Sequence, residues 1–202
     1  MTSREVSQSN VPHGEQSFGI RSWRDMFQKL CFELEEFVAT RGSDRNLAAR
    51  GYRAVNLAWT AWHLHDWFFE GQMDAGDLNL AVVRPVFPDV NFEAKKGKQD
   101  RLALFGNELA ARFEALRICR TLATAGKHGK AEHRPMPELR AQEVRPIEWM
   151  PPGPNGPICY DVRILVGNMP WDARDLFVQA VADWRNFFAL IGEAVPDAQL
   201  TV

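Results

Sequence analysis

Apolar residues recur at three- and four-residue intervals in four stretches of the chain, the spacing that lines one side of a helix at about 100° per residue. The first carries Trp23, Met26, Phe27, Leu30, Leu34, Phe37 and Val38. It opens on Ser22 and Asp25 at capping-box spacing, with Asp where Glu or Gln is usual, and Gly42 supplies its stop. After the polar link Ser43-Asp44, a second helix is predicted to about Glu70, just before Gly71, with Ala54, Leu57, Ala61, Leu64 and Phe68 on one side. A third, capped by Asp100, places Leu102, Phe105, Leu109, Phe113 and Leu116 in a stripe that runs on towards Gly126. The last starts near Asp172, carries Phe177, Val181, Trp184, Phe188 and Ile191, and ends at Gly192.

Between these stretches the pattern changes. Residues 71–98 are broken by Pro85 and Pro88, a long connection with room for a short element or a cover over a site. Residues 129–140 read as loop, after which the period becomes two. Ile158, Tyr160, Val162, Ile164 and Val166 fall on one face of a strand, with Cys159, Asp161 and Arg163 on the other. Val144 to Met150 is its expected partner across the Pro151–Pro157 loop. Residues 1–17 lack periodicity and are read as a flexible tail, as are 196–202. The prediction is a mainly α single domain over residues 18–195: a four-helix bundle with a β-hairpin, about residues 142–167, inserted before the last helix.

Composition narrows the class without naming a function. At 46% apolar and 25% charged, the 202-residue chain has an ordinary globular mixture, and its net charge of −2 supplies no global basic field for nucleic acid or anionic membrane. Any anion site must be local. No stretch approaches the roughly 18 apolar residues of a membrane span, and Met1 to Gln16 lacks the apolar core of a signal peptide, so a cytoplasmic protein with no membrane contact is expected. Cys31, Cys119 and Cys159 form no Cys-x-x-Cys pair and read as reduced packing residues, with Cys119 the one nearest a polar segment.

The chemistry concentrates on two helices. On the second, Asn56, Trp59, His63, Asp66 and Glu70 share an arc of about 80° opposite the Ala/Leu/Phe face. Trp59 and nearby Trp67 on a polar side suggest a partner or another segment against it. His63 and Asp66, at i and i+3, can meet so that the carboxylate orients the imidazole, as a structural pair or as part of a site. His65 points away from both and reads as a packing or surface histidine. On the third helix the apolar stripe brings Arg120 to a core-facing position, where a guanidinium needs a partner. Asp66 or Glu70 is the expected one. Lys127 and His128 follow at the helix end, as C-terminal caps or as a cation and a proton carrier near Arg120.

The run Asn56-Leu57-Ala58-Trp59-Thr60-Ala61-Trp62-His63-Leu64-His65-Asp66-Trp67, with Cys119-Arg120-Thr121-Leu122-Ala123-Thr124-Ala125-Gly126-Lys127-His128, resembles a group of uncharacterised bacterial helical proteins. More loosely the layout is similar to the HEPN superfamily, whose active members are metal-independent ribonucleases with an arginine and a histidine near a dimer interface. That motif places four to six residues between them, whereas seven separate Arg120 from His128. The resemblance implies RNA binding or metal-independent RNA cleavage, with Arg120 on phosphate, His128 as acid or base, His63 and Asp66 in support, and no cofactor. Trp59, Trp67, Glu70 and Lys127 would complete the binding residues. Two other readings stand beside it, since one fold hosts enzymes, inactive binders and antitoxin partners alike. One is a non-catalytic interaction protein or homodimer anchored by Trp59 and Trp67. The other is a metal-dependent hydrolase with His63, Asp66 and His128 as ligands and Glu70 as base.

Overall fold

The computed structural model describes residues 19–40, 47–74, 77–78, 80–128, 138–144 and 161–195; at Leu47, 73–74, 77–78, 80, 127–128, 142–144 and 161 it describes the backbone only. The expected tails, the Gly42 stop, the Ser43-Asp44 link and the segment holding Met150, Ile158, Cys159 and Tyr160 lie outside these residues. The elements are α1 (Trp23–Ala39), α2 (Leu47–Gly71), β1 (Met73–Asp74), β2 (Asp77–Leu78), α3 (Leu80–Val83) and α4 (Lys98–Arg112), then α5 (Glu114–His128), β3 (Leu139–Val144), β4 (Asp161–Val166), β5 (Met169–Asp172) and α6 (Ala173–Leu190).

The protein is mainly helical, with a small antiparallel sheet inserted before the last helix. Helix α1 starts where Ser22 and Asp25 predicted: the Ser22 hydroxyl accepts from the Asp25 N–H, and the Asp25 carboxylate accepts from the Ser22 N–H. Asp172 caps α6 by accepting from the Arg174 N–H at 2.8 Å, and Gly192, at φ +76°, takes the left-handed turn that ends it. Helices α1, α2, α5 and α6 pack in a ring, each against the next and α6 back onto α1, while α4 lies against α5 and α2. The predicted faces fill the centre. Leu57, Ala61, Leu64 and Phe68 of α2 are fully buried with Phe27, Phe105, Phe177, Trp184, Phe187 and Phe188. Edge-to-face contacts such as Phe68–Phe187, 5.1 Å between ring centres, tie the helices together. The buried indole N–H of Trp184 is satisfied by the Ala61 carbonyl at 2.8 Å.

Three expectations need correction. The predicted third helix is two, because Phe113 takes an extended conformation (φ −121°, ψ 105°) between α4 and α5. The apolar period runs through the break unchanged because both helices face one core, so periodicity could not reveal it. Asp100 lies in the first turn of α4, and Gly97 is the capping position. The strand pairing with β4 is Leu139–Val144, in register from Leu139↔Val166 to Val144↔Asp161, not Val144 to Met150. Its burial alternation is the predicted one, with Val162 and Ile164 inward and Arg163 outward. The sheet also gains β5 after a Gly167-Asn168 turn in which Gly167 has φ +63°. Pro170 sits in this strand without penalty because β5 is an edge of the β3-β4-β5 order.

Candidate functional site

Helix α2 carries the polar cluster. At i and i+3, the Nδ1 of His63 and the Oδ2 of Asp66 are 2.7 Å apart. A carboxylate oxygen only accepts, so Nδ1 holds the proton and Nε2 keeps a lone pair when the ring is neutral. The His63 side chain is 45% exposed, so its ring is reached by solvent.

His65 does not point away, as expected from its position on the helical wheel. It is buried, its Nδ1 donates to the Trp62 carbonyl one turn back at 2.6 Å, and its Nε2 reaches Asp66 Oδ1 at 3.3 Å. The bond to the preceding turn swings the ring along the helix towards its neighbour, a rotation that wheel angles ignore. Asp66 thus has an imidazole beside each oxygen, bonded to His63 and within 3.3 Å of the His65 ring. Gly106 of α4 makes room for this: a Cβ there would lie 3.2 Å from His65 Nε2 and 3.4 Å from the Trp62 ring. A glycine inside a helical pattern was the signal for such a close approach.

The partner expected for Arg120 is absent. With Asp66 engaged by its histidines and Glu70 bonded to Lys98 at 2.5 Å, neither reaches the guanidinium. Instead Arg120 donates through Nη2 to the Asn107 amide oxygen at 2.8 Å and lies 5.0 Å from the centre of the Trp62 ring. Only 9% of Arg120 is exposed, and its Nε is buried without a hydrogen-bond partner. Among the described residues no carboxylate neutralises it, and both groups that do touch it are neutral. Asn107, which the sequence did not single out, is exposed, so the guanidinium lies just below a solvent-facing side chain.

The other candidates are scattered around this cluster. Trp59 is 38% exposed, and its indole N–H donates to the Ala123 carbonyl at 3.0 Å, fixing the ring against α5 beside Gly126. Trp67 is half-buried and packs against the core. Helix α5 is continuous to His128, so eight steps of 1.5 Å set Arg120 and His128 about 12 Å apart along its axis. The side chains of Lys127 and His128 lie outside the described residues. Among those residues no group of three or more His, Cys, Asp or Glu is placed to hold a metal ion. Cys119 is fully buried, and burial, with the Asp183 carboxylate nearby, pushes its thiol well up, the opposite of a reactive thiolate. Burial likewise pushes the Asp183 carboxyl up.

The arrangement defines a class: a mainly helical protein with a histidine-held carboxylate on one helix and a buried, carboxylate-free arginine on its neighbour. No protein-family model, curated protein or solved structure matches the chain. No helix among the described residues is long and apolar enough to cross a membrane.

Proposed function

We propose that this protein binds RNA, with Arg120 holding a backbone phosphate and His63, oriented by Asp66, carrying the proton of a metal-independent cleavage. The packed ring of α1, α2, α5 and α6 supports a four-helix bundle as the scaffold. The observation that carries the reading is the Arg120 guanidinium, desolvated yet met, among the described residues, only by an amide oxygen and an aromatic face. Burying a cation without a counter-ion is costly, and an incoming phosphate would supply the missing charge through strong, charge-assisted hydrogen bonds. Trp62 joins the two halves: its ring lies under Arg120, and it is the residue before His63 on α2.

Cleavage in this reading uses the ribose 2′-hydroxyl as nucleophile. Its oxygen attacks phosphorus while its proton passes to the free Nε2 of His63. The bond from phosphorus to the 5′-oxygen breaks, and that oxygen takes a proton from His128 or water, leaving a 2′,3′-cyclic phosphate and a 5′-hydroxyl. Asp66 stabilises the imidazolium formed in the first step.

Fluorescence anisotropy with labelled single-stranded RNA tests the binding half. Affinity should fall between about 50 and 200 mM salt, as phosphate contacts require, and Arg120→Met should weaken it at least about tenfold. Gel assays in EDTA test the other half, where His63→Ala should stop cleavage while binding survives. Protein that neither binds nor cuts any member of a broad RNA panel refutes the proposal. A second reading, a non-catalytic or antitoxin-type partner of another protein, is supported by the exposed Trp59 ring and is what that null result would favour.

A further inference from the structure

Asn107 joins the Arg120 guanidinium to the surface of the protein. It is an exposed residue of α4, whereas Arg120, on the neighbouring α5, is 9% exposed. Its amide oxygen accepts from Arg120 Nη2 at 2.8 Å, the length of a charge-assisted bond and the distance at which a phosphate oxygen would sit. The amide therefore occupies the place a phosphate needs. It brings only a dipole where the guanidinium lacks a charge.

An aspartate has the same shape as Asn107 and could make the same contact as an ion pair. For stability alone the carboxylate is the better partner, since a buried cation left without a counter-ion is costly. Neighbouring acids do not take over that role. Among the described residues Glu108, beside Asn107 on α4, forms no ion pair with Arg120, and Glu114 of α5 is bonded to Arg117 at 2.9 Å. Release of Asn107 costs little, because its exposed amide can bond to water instead. The Trp62 ring, 7% exposed and 5.0 Å from the guanidinium, stays in place to support it.

We propose that Asn107 is a neutral latch on Arg120, its amide oxygen standing where a phosphate oxygen binds and turning out to solvent when a phosphate enters. This rests on the reading of Arg120 as a phosphate site and adds a control on that site. A ligand must displace the latch, so its apparent affinity is reduced by the fraction of molecules in which the latch is open. The latch also selects by charge. A neutral ligand gains nothing over the amide it replaces, whereas a phosphate supplies the missing counter-ion.

Asn107→Ala and Asn107→Asp test this at fixed salt, with the labelled single-stranded RNA read by anisotropy and inorganic phosphate by isothermal titration calorimetry. Removing the latch in Asn107→Ala should tighten binding at least about fivefold, through faster association. Were Asn107 needed to hold Arg120 in position, its loss would weaken binding instead. Asn107→Asp should close the site: Tm rises by at least about 2 °C as the ion pair forms, and affinity falls at least about tenfold. Unchanged or weaker binding by Asn107→Ala, or an Asn107→Asp protein that binds as wild type does, overturns the latch; RNA binding lost in Arg120→Met would still leave the phosphate site standing. Phosphate binding tightened by Asn107→Ala in a protein that ignores RNA supports the latch and overturns the RNA reading. Absence of both ligands from all three proteins overturns both.

Discussion

Replacing Arg120 with methionine separates two accounts of the same atoms. The change removes a hydrogen bond from a charged donor to Asn107, worth about 1.5–3 kcal/mol, and a cation–π contact with Trp62, worth about 0.5–2 kcal/mol. It also removes a desolvated cation whose Nε has no partner, relieving a penalty of about 1–3 kcal/mol, and puts an apolar chain of similar length among buried neighbours. The central values leave a net loss of about 1.5 kcal/mol before the new apolar contacts offset part of it, which for a domain of this size lowers Tm by at most about 3–6 °C. Had Arg120 been paired with Asp66, removing it would strand a carboxylate and cost about 3–5 kcal/mol, on the order of 10 °C. Thermal melts of Arg120→Met, Asp66→Asn and the double variant measure the difference. The loss should be small for Arg120→Met, with no coupling to Asp66, because that carboxylate is bonded to His63 instead. A large loss in the single variant, recovered in the double, would refute both the neutral setting of Arg120 and the phosphate site built on it.

Two further outcomes follow from the packing. Asp183 is buried with Oδ2 unpartnered and Oδ1 accepting from Gln179 at 2.8 Å, and burial raises its folded-state pKa. A raised carboxyl pKa favours the folded state below the unfolded value, near 3.9, and that advantage is lost as pH rises through the folded value. Asp183→Asn keeps the Gln179 bond and should therefore gain Tm over wild type as pH goes from about 4 to 8; a gain that is flat or shrinks with rising pH would show that the carboxyl is not the strained group. Gly106→Ala adds about 1 kcal/mol of helix propensity but sets a methyl 3.2 Å from His65 Nε2, in a ring fixed by the bond from its Nδ1 to the Trp62 carbonyl and lying against Asp66. Overpacking of about 1–3 kcal/mol should win, lowering Tm; a higher Tm in differential scanning calorimetry would mean that the imidazole yields freely.

What the sequence determined by itself is what depends on neighbours along the chain. The Ser22–Asp25 box, the buried face of α2 from Ala54 to Phe68, the inward alternation of Val162 and Ile164, the glycine stop after α6 and the His63–Asp66 pair are all set by residues a few positions apart, where one or two turns or a pleat fix the geometry. The break at Phe113 was hidden because two helices facing one core share one apolar period. The β3 register was hidden because it is chosen by a strand about twenty residues away, among several offsets the pattern allowed. The partner of Arg120 was misjudged for a similar reason. Charge alone favours a carboxylate, but which groups α4 and α2 bring to it depends on how those helices cross, and Gly106 lets them close with Asn107 and Trp62 at the guanidinium. Side-chain rotation, not position on the wheel, brought His65 to Asp66. Local order was legible because its energies are local; the site was decided by contacts between helices, which a linear pattern specifies only as the need to be buried.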